Sequence, residues 1–210
     1  MRFLFDLNSP VMRFIGRFAD IVVLNLVFLL TCFPIFTIGA ANTALYDVAF
    51  RMDTDREGKL LSTYFRSFKE NFRQSTLVWL GLVLFGIATY LNMTRFSLLG
   101  ERAYVLGYGL FLVSMAVLVI LVFVFSYVFP LLSRFRNSVG NMIRNALLLS
   151  IGNLPKTLVL CVINCFPWAL MIVNFYSFIR LGFIWLILYF AAAAYWNSRL
   201  LMKVFDNLAK

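Results

Sequence analysis

The chain contains no histidine. Imidazole general-base catalysis, imidazole metal ligation and phosphohistidine relay chemistry are therefore excluded. Acidic residues are scarce too: nine Asp and Glu in 210 residues, against 19 Lys and Arg. Four of the nine (Asp53, Asp55, Glu57, Glu70) fall in one short stretch with basic neighbours, and no carboxylate pair lies inside the later apolar runs. That argues against an intramembrane proton relay or aspartyl site. Cys32, Cys161 and Cys165 form no C-x-x-C pair and all sit within apolar runs, so they read as small buried residues. Gly58-Lys59 lacks the upstream glycine and the hydroxyl residue of a phosphate-binding loop. No nucleophile–base constellation can be assembled, so no catalytic residue, metal ligand or cofactor is expected. The chain reads as non-enzymatic.

Charge of either sign is also missing from long stretches. Only 13% of residues are charged and 62% are hydrophobic, where a soluble domain carries roughly 25% charged residues. No charge occurs between Asp20 and Asp47, Arg73 and Arg95, Arg102 and Arg134, Lys156 and Arg180, or Arg180 and Arg199. Each interval approaches or exceeds the roughly 20 residues with which a helix crosses a hydrocarbon core of about 30 Å. The runs do not alternate apolar with polar, so a β-barrel is excluded and helices remain. The net charge of +10 is concentrated at the ends of these runs. That distribution points to membrane lipid rather than nucleic acid. The first run follows Arg13 and Arg17, but its polar lead-in is long and it exceeds the 7–15 apolar residues of a signal peptide. It reads as a retained span.

The fold class is thus all-α: a single integral membrane domain, a polytopic transmembrane helical bundle. Ser9-Pro10 supplies a helix start, and Pro34 with Gly39 a break. Two arrangements of the first apolar region are open. A single crossing divides the Lys and Arg residues 6 against 13 across the membrane, whereas a hairpin turning at Pro34–Gly39 divides them 16 against 3. The positive-inside rule favours the hairpin, which gives about six membrane segments: 10–33, 40–52, 75–93, 103–129, 155–174 and 181–196. It also places both termini in the cytoplasm. Cytoplasmic interfacial helices are expected at 57–74, 137–151 and 197–208. The first is amphipathic, with Leu60, Leu61, Tyr64, Phe65, Phe68 and Phe72 on one arc and Lys59, Arg66, Lys69 and Arg73 opposite. It is expected to lie on lipid.

Two sets of residues stand out. Gly39, Ala40, Thr43 and Ala44 form a small-residue patch of the kind that lets helices approach closely in lipid. With Lys59, Arg66, Lys69 and Arg73 they are the candidate surface for contact with a partner. Asn25, Asn42, Asp47 and Asn164 are candidate intramembrane polar groups, and Asp47 and Arg51 have the i,i+4 spacing of an ion pair. Asn92 and Asn174 fall at the edges of the runs. Interhelical hydrogen bonding explains such residues more simply than a solute path, which usually carries charge.

Longer stretches carry a resemblance. Ser9-Pro10 with Arg13, Asp20 with Asn25, Pro34-Ile35-Phe36-Thr37-Ile38-Gly39-Ala40 followed by Thr43-Ala44-Leu45-Tyr46, Ser67-Phe68-Lys69-Glu70-Asn71-Phe72-Arg73-Gln74, Tyr127-Val128-Phe129-Pro130-Leu131 with Arg134-Phe135 and Asn137, Asn145-Ala146-Leu147, and Leu154-Pro155-Lys156-Thr157 together resemble the YesL-like family of bacterial membrane proteins, a family of unknown function. Asp47 departs from the pattern. Members are often encoded beside carbohydrate ABC importers in Gram-positive bacteria. The resemblance therefore implies an accessory or assembly component of carbohydrate ABC transport in the bacterial cytoplasmic membrane, with ABC permease subunits as partners. The alternative is a stand-alone small-solute carrier.

Overall fold

The computed structural model describes residues 10–53, 60–97 and 104–206, and among these there is no β-strand. Helix α1 spans Pro10–Cys32, followed by a 3-10 turn at Ile35–Thr37. Then come α2 (Ile38–Asp53), α3 (Leu60–Ser97), α4 (Tyr104–Arg134), α5 (Val139–Gly152), α6 (Leu154–Val173) and α7 (Phe175–Arg180). The last stretch joins one turn, α8 (Gly182–Ile184), through a π-helical turn at Trp185–Tyr189 to α9 (Phe190–Phe205). Four helices contain stretches long and apolar enough to cross a membrane: Phe14–Cys32, Leu60–Arg95, Gly107–Arg134 and Leu154–Val173. Of the six expected segments, 40–52 becomes the 16-residue α2, about 24 Å long at 1.5 Å per residue. The segment at 181–196 is divided among α8, the π turn and α9.

Burial is segregated along the helices. Most of the largest fully buried side chains, among them Tyr64, Tyr127, Phe129, Leu45 and Phe205, gather at one end. That end is built from α2, the first half of α3, the end of α4, α5 and the end of α9. Away from it, large apolar side chains such as Leu84, Phe85, Val113, Ile172 and Phe183 face outward. Water does not tolerate so continuous an apolar surface on a monomer, and lipid does. The molecule therefore has an apolar stem and a compact base.

Helix α3 explains why the base is rigidly joined to the stem. The expected boundary between an interfacial helix at 57–74 and a span at 75–93 is absent: one helix of 38 residues covers both, about 57 Å long. Gln74-Ser75-Thr76 contains no helix breaker, and the Gln74 side chain donates to the Asn137 carbonyl at 2.6 Å. The apolar arc is covered largely by the chain itself rather than lying free on lipid. Tyr64 is buried, Phe68 and Phe72 are half-buried, and only Leu61 and Phe65 are exposed. Similarly, α4 continues past Pro130 to Arg134, α5 buries Met142, Ala146 and Ser150, and the expected tail helix is the buried end of α9.

Helices α1 and α2 do not fold back on each other as the expected hairpin would. Asn25 of α1 bonds to the Trp185 carbonyl (3.3 Å) and the Ala191 amide (2.9 Å), away from the base. Thr31, further along the same helix, meets the Tyr64 hydroxyl at 2.6 Å, near the start of α3. Helix α1 therefore runs towards the base. Helix α2 runs the same way, antiparallel to α3. Thr43 bonds Ser75 at 2.8 Å, Asp47 and Arg51 line one pocket with Arg66 and Glu70, and the Phe50 ring lies 5.8 Å from that of Phe205. The break at Pro34 is a step within one pass, not a return. Proline ends α1, and the loose backbone groups find local partners. The Thr31 carbonyl accepts from the Thr37 hydroxyl at 2.5 Å, and the Ile35 carbonyl accepts from the Trp79 indole at 2.9 Å. Pro10 and Phe205 consequently lie at opposite ends of the bundle.

Two outcomes are expected. Single cysteines introduced at Val11 and at Lys203, on a background with the three native cysteines replaced, will be labelled by an impermeant maleimide from opposite sides of sealed vesicles. Labelling of both from the same side would restore the hairpin. At Gly39, an added Cβ would collide with the Ser75 carbonyl oxygen and lie 2.7 Å from Trp79 Cβ. Gly39→Val should lower stability by about 3 kcal/mol or more, whereas Gly86→Ala, with open space around it, should be neutral or stabilising by up to about 1 kcal/mol; thermal unfolding in detergent distinguishes them.

Candidate functional site

Where stem meets base, six chain segments enclose a cavity of about 420 Å³. Its aromatic wall includes Phe28 of α1, Trp79 of α3, Phe125 of α4 and Trp168 of α6, with Tyr189 and Phe190 from the returning segment. Its polar wall consists of Asn42 and Tyr46 of α2 and Asn164 of α6. Among the described residues, no charged side chain lines it. Apolar walls with a few convergent polar groups are the usual make-up of a small-molecule site.

Behind the polar wall, side chains link four helices. The Asn197 amide of α9 donates to the Tyr46 hydroxyl at 3.1 Å and to Asn164 Oδ1 at 2.8 Å. The Asn164 amide donates to Ser126 Oγ of α4 at 3.3 Å, and that hydroxyl donates to the Val122 carbonyl at 2.9 Å. Asn197 is fully buried, and its Oδ1 has no hydrogen-bond partner. A buried acceptor left this way raises the energetic cost of the cluster. Near the cavity, the Tyr189 hydroxyl donates to the Ile163 carbonyl at 2.5 Å. The cluster can orient an uncharged polar group. It offers no nucleophile with a base beside it.

The four polar candidates are not one site. Asn42 and Asn164 both line the cavity, and the Asn42 amide also donates to Ile38 O of its own helix at 3.1 Å. Asn25 lies elsewhere and serves the fold: its side chain supplies both a donor and an acceptor to the backbone around the π turn, where the helical ladder is irregular. Asp47 lies in the base, paired with Arg51 at 2.9 Å. Tyr46 and Asn197 are not among the polar candidates that the sequence offers. Asn197 opens the expected tail helix at 197–208, and nothing local in the chain signals its contact with Tyr46, 151 residues away.

The partner-contact candidates also divide. Gly39, Ala40, Thr43 and Ala44 are all buried within the chain, so the small-residue patch is not an outward surface. It is consumed by α3, whose Ser75 and Trp79 occupy the space above Gly39. Arg66, Lys69 and Arg73 are exposed and form a basic ridge on α3; Lys59 lies outside the described residues. Among the described residues, no three acidic or cysteine side chains converge to hold a metal ion.

Removing the hub of the cluster should be costly. Asn197→Ala leaves Tyr46 and Asn164 each short of a donor and should destabilise the protein by about 1–3 kcal/mol. Asn42→Ala, on the same cavity but outside the relay, should cost less. Unfolding midpoints of the two variants in one detergent provide the comparison, and equal losses would show that the relay does not hold these helices together.

Residues 21–93, which cover the second half of α1, all of α2 and most of α3, match the profile of a family described as a protein of unknown function, DUF624. No curated protein and no solved structure matches the chain. This N-terminal part of the chain is thus similar to a family to which no activity is attached.

Proposed function

We propose that the chain is a non-enzymatic component of a bacterial cytoplasmic membrane, an accessory or assembly subunit of a carbohydrate ABC transport system. With α1 and α2 forming one pass, the bundle makes five passes: α1, α3, α4, α6 and the segment running through α8 to α9. Among the described residues the base carries ten Lys and Arg and the opposite end four. The positive-inside rule puts the base in the cytoplasm, with Pro10 outside.

The observation that carries the reading is the basic ridge. Arg66, Lys69 and Arg73 project from a helix whose other face is locked against α2. A cytoplasmic ridge so held is pre-organised to meet an acidic surface of a permease or its ATPase, with little side-chain ordering left to the backbone. The DUF624 match is compatible with the YesL-like resemblance, which supplies the carbohydrate context.

A tagged full chain, solubilised gently from its native host during growth on a glycan, should retain importer subunits. Replacing Arg66, Lys69 and Arg73 by Glu should reduce that recovery at least about tenfold, equivalent to 1.4 kcal/mol, without lowering the yield of the chain itself. A wild-type sample that brings down neither permease nor ATPase would sink the proposal. The uncharged cavity with Asn42, Tyr46 and Asn164 favours the carrier reading instead, and saturable sugar uptake by proteoliposomes holding this chain alone would put it first.

A further inference from the structure

We propose that the base holds a binding site for a phosphate group, separate from the stem cavity and sharing Arg66 with the outward ridge. A pocket of about 220 Å³ lies between α2, α3 and the end of α4. Four arginines line it, Arg51, Arg66, Arg134 and Arg136, with two carboxylates, Asp47 and Glu70. Its lining thus carries a net charge of two positive, complementary to a phosphate monoester. Ser67, Asn71 and Ser133 add hydroxyl and amide groups to the wall.

The ion pairs engage the four arginines unequally. Arg51 holds Asp47 at 2.9 Å and Arg134 holds Asp206 at 3.1 Å, each with a third or more of its side chain exposed. Arg136 is 94% exposed and only 3.8 Å from Glu70, a geometry that contributes little to stability. Arg66 has no carboxylate within ion-pair distance among the described residues. Guanidinium forks bind phosphate oxygens in pairs and shed water more readily than ammonium groups. An oxyanion entering the pocket would gain Arg66 outright and compete with a long contact at Arg136.

The pocket's depth bears on the source. Its α3 residues, Arg66, Ser67, Glu70 and Asn71, lie within about two turns of the uncharged run that begins after Arg73, the depth of a lipid headgroup layer. A phospholipid headgroup and a free phosphorylated solute share the chemistry required.

The test uses the purified full chain in phosphate-free neutral detergent and follows its unfolding midpoint. The ligands are inorganic phosphate, dioctanoyl phosphatidic acid and dioctanoyl phosphatidylcholine. A saturable rise with phosphatidic acid alone assigns a lipid headgroup, and a rise with inorganic phosphate as well assigns a free phosphate compound; either supports the site. Arg66→Gln, and separately the exposed Arg136→Gln, should weaken apparent binding about tenfold. Lys69→Gln, on the ridge and outside the pocket, should leave it unchanged. No saturable rise with either phosphate ligand would overturn the site. So would an equal rise with phosphatidylcholine, or equal weakening by Lys69→Gln.

Discussion

The close approach of α2 to α3 is the constraint on which the rest of the structure depends. Helix α2 is short and is surrounded by α3, α4, α9 and the end of α1. Its backbone comes so near α3 that Gly39 has no room for a side chain, and Thr43 and Ser75 share a hydrogen bond in the gap. Close contact of this kind depends on dispersion and on complete polar pairing, since expulsion of water supplies no attraction where lipid is the solvent. With that contact in place, the first half of α3 has a buried face. The end of α4 then has a wall to rest on, and α9 can close the base through Phe205 against Phe50 and Phe135.

Side-chain amides perform the second unifying role. Asn25 ties α1 to the irregular turn before α9, and Asn197 ties α9 to α2 and α6. In both cases a neutral amide bridges segments without carrying a charge that would need burial; Asn25 donates and accepts, whereas Asn197 only donates. The Asn197 bonds run behind the polar wall of the cavity between stem and base, and aromatic rings form the rest of its lining.

Much of the architecture was legible in the residues. The uncharged runs marked helices long enough for lipid, Pro34 marked a break, and the small residues around Gly39 marked tight packing. The direction of the chain after Pro34 was not legible. Helix α2 is rich in alanine because protein surrounds it, and such a composition is indistinguishable from that of a short lipid-facing pass. Charge counting then preferred the hairpin, since it tallies loops and has no way to recognise a helix buried in a base. The small-residue patch misled for the same reason: glycine and alanine announce a close neighbour without saying whether the neighbour belongs to another chain. The Tyr46–Asn197–Asn164 relay joins residues from distant parts of the chain, and no local pattern encodes it.

An uninterrupted α3 also makes the protein a lever. Its outer half is fitted to the bilayer and its inner half is bolted to the base, with no hinge between them. When a membrane thins, an over-long apolar helix accommodates by leaning. Here no break in the helix can absorb such a lean, so the base must follow the stem as one body.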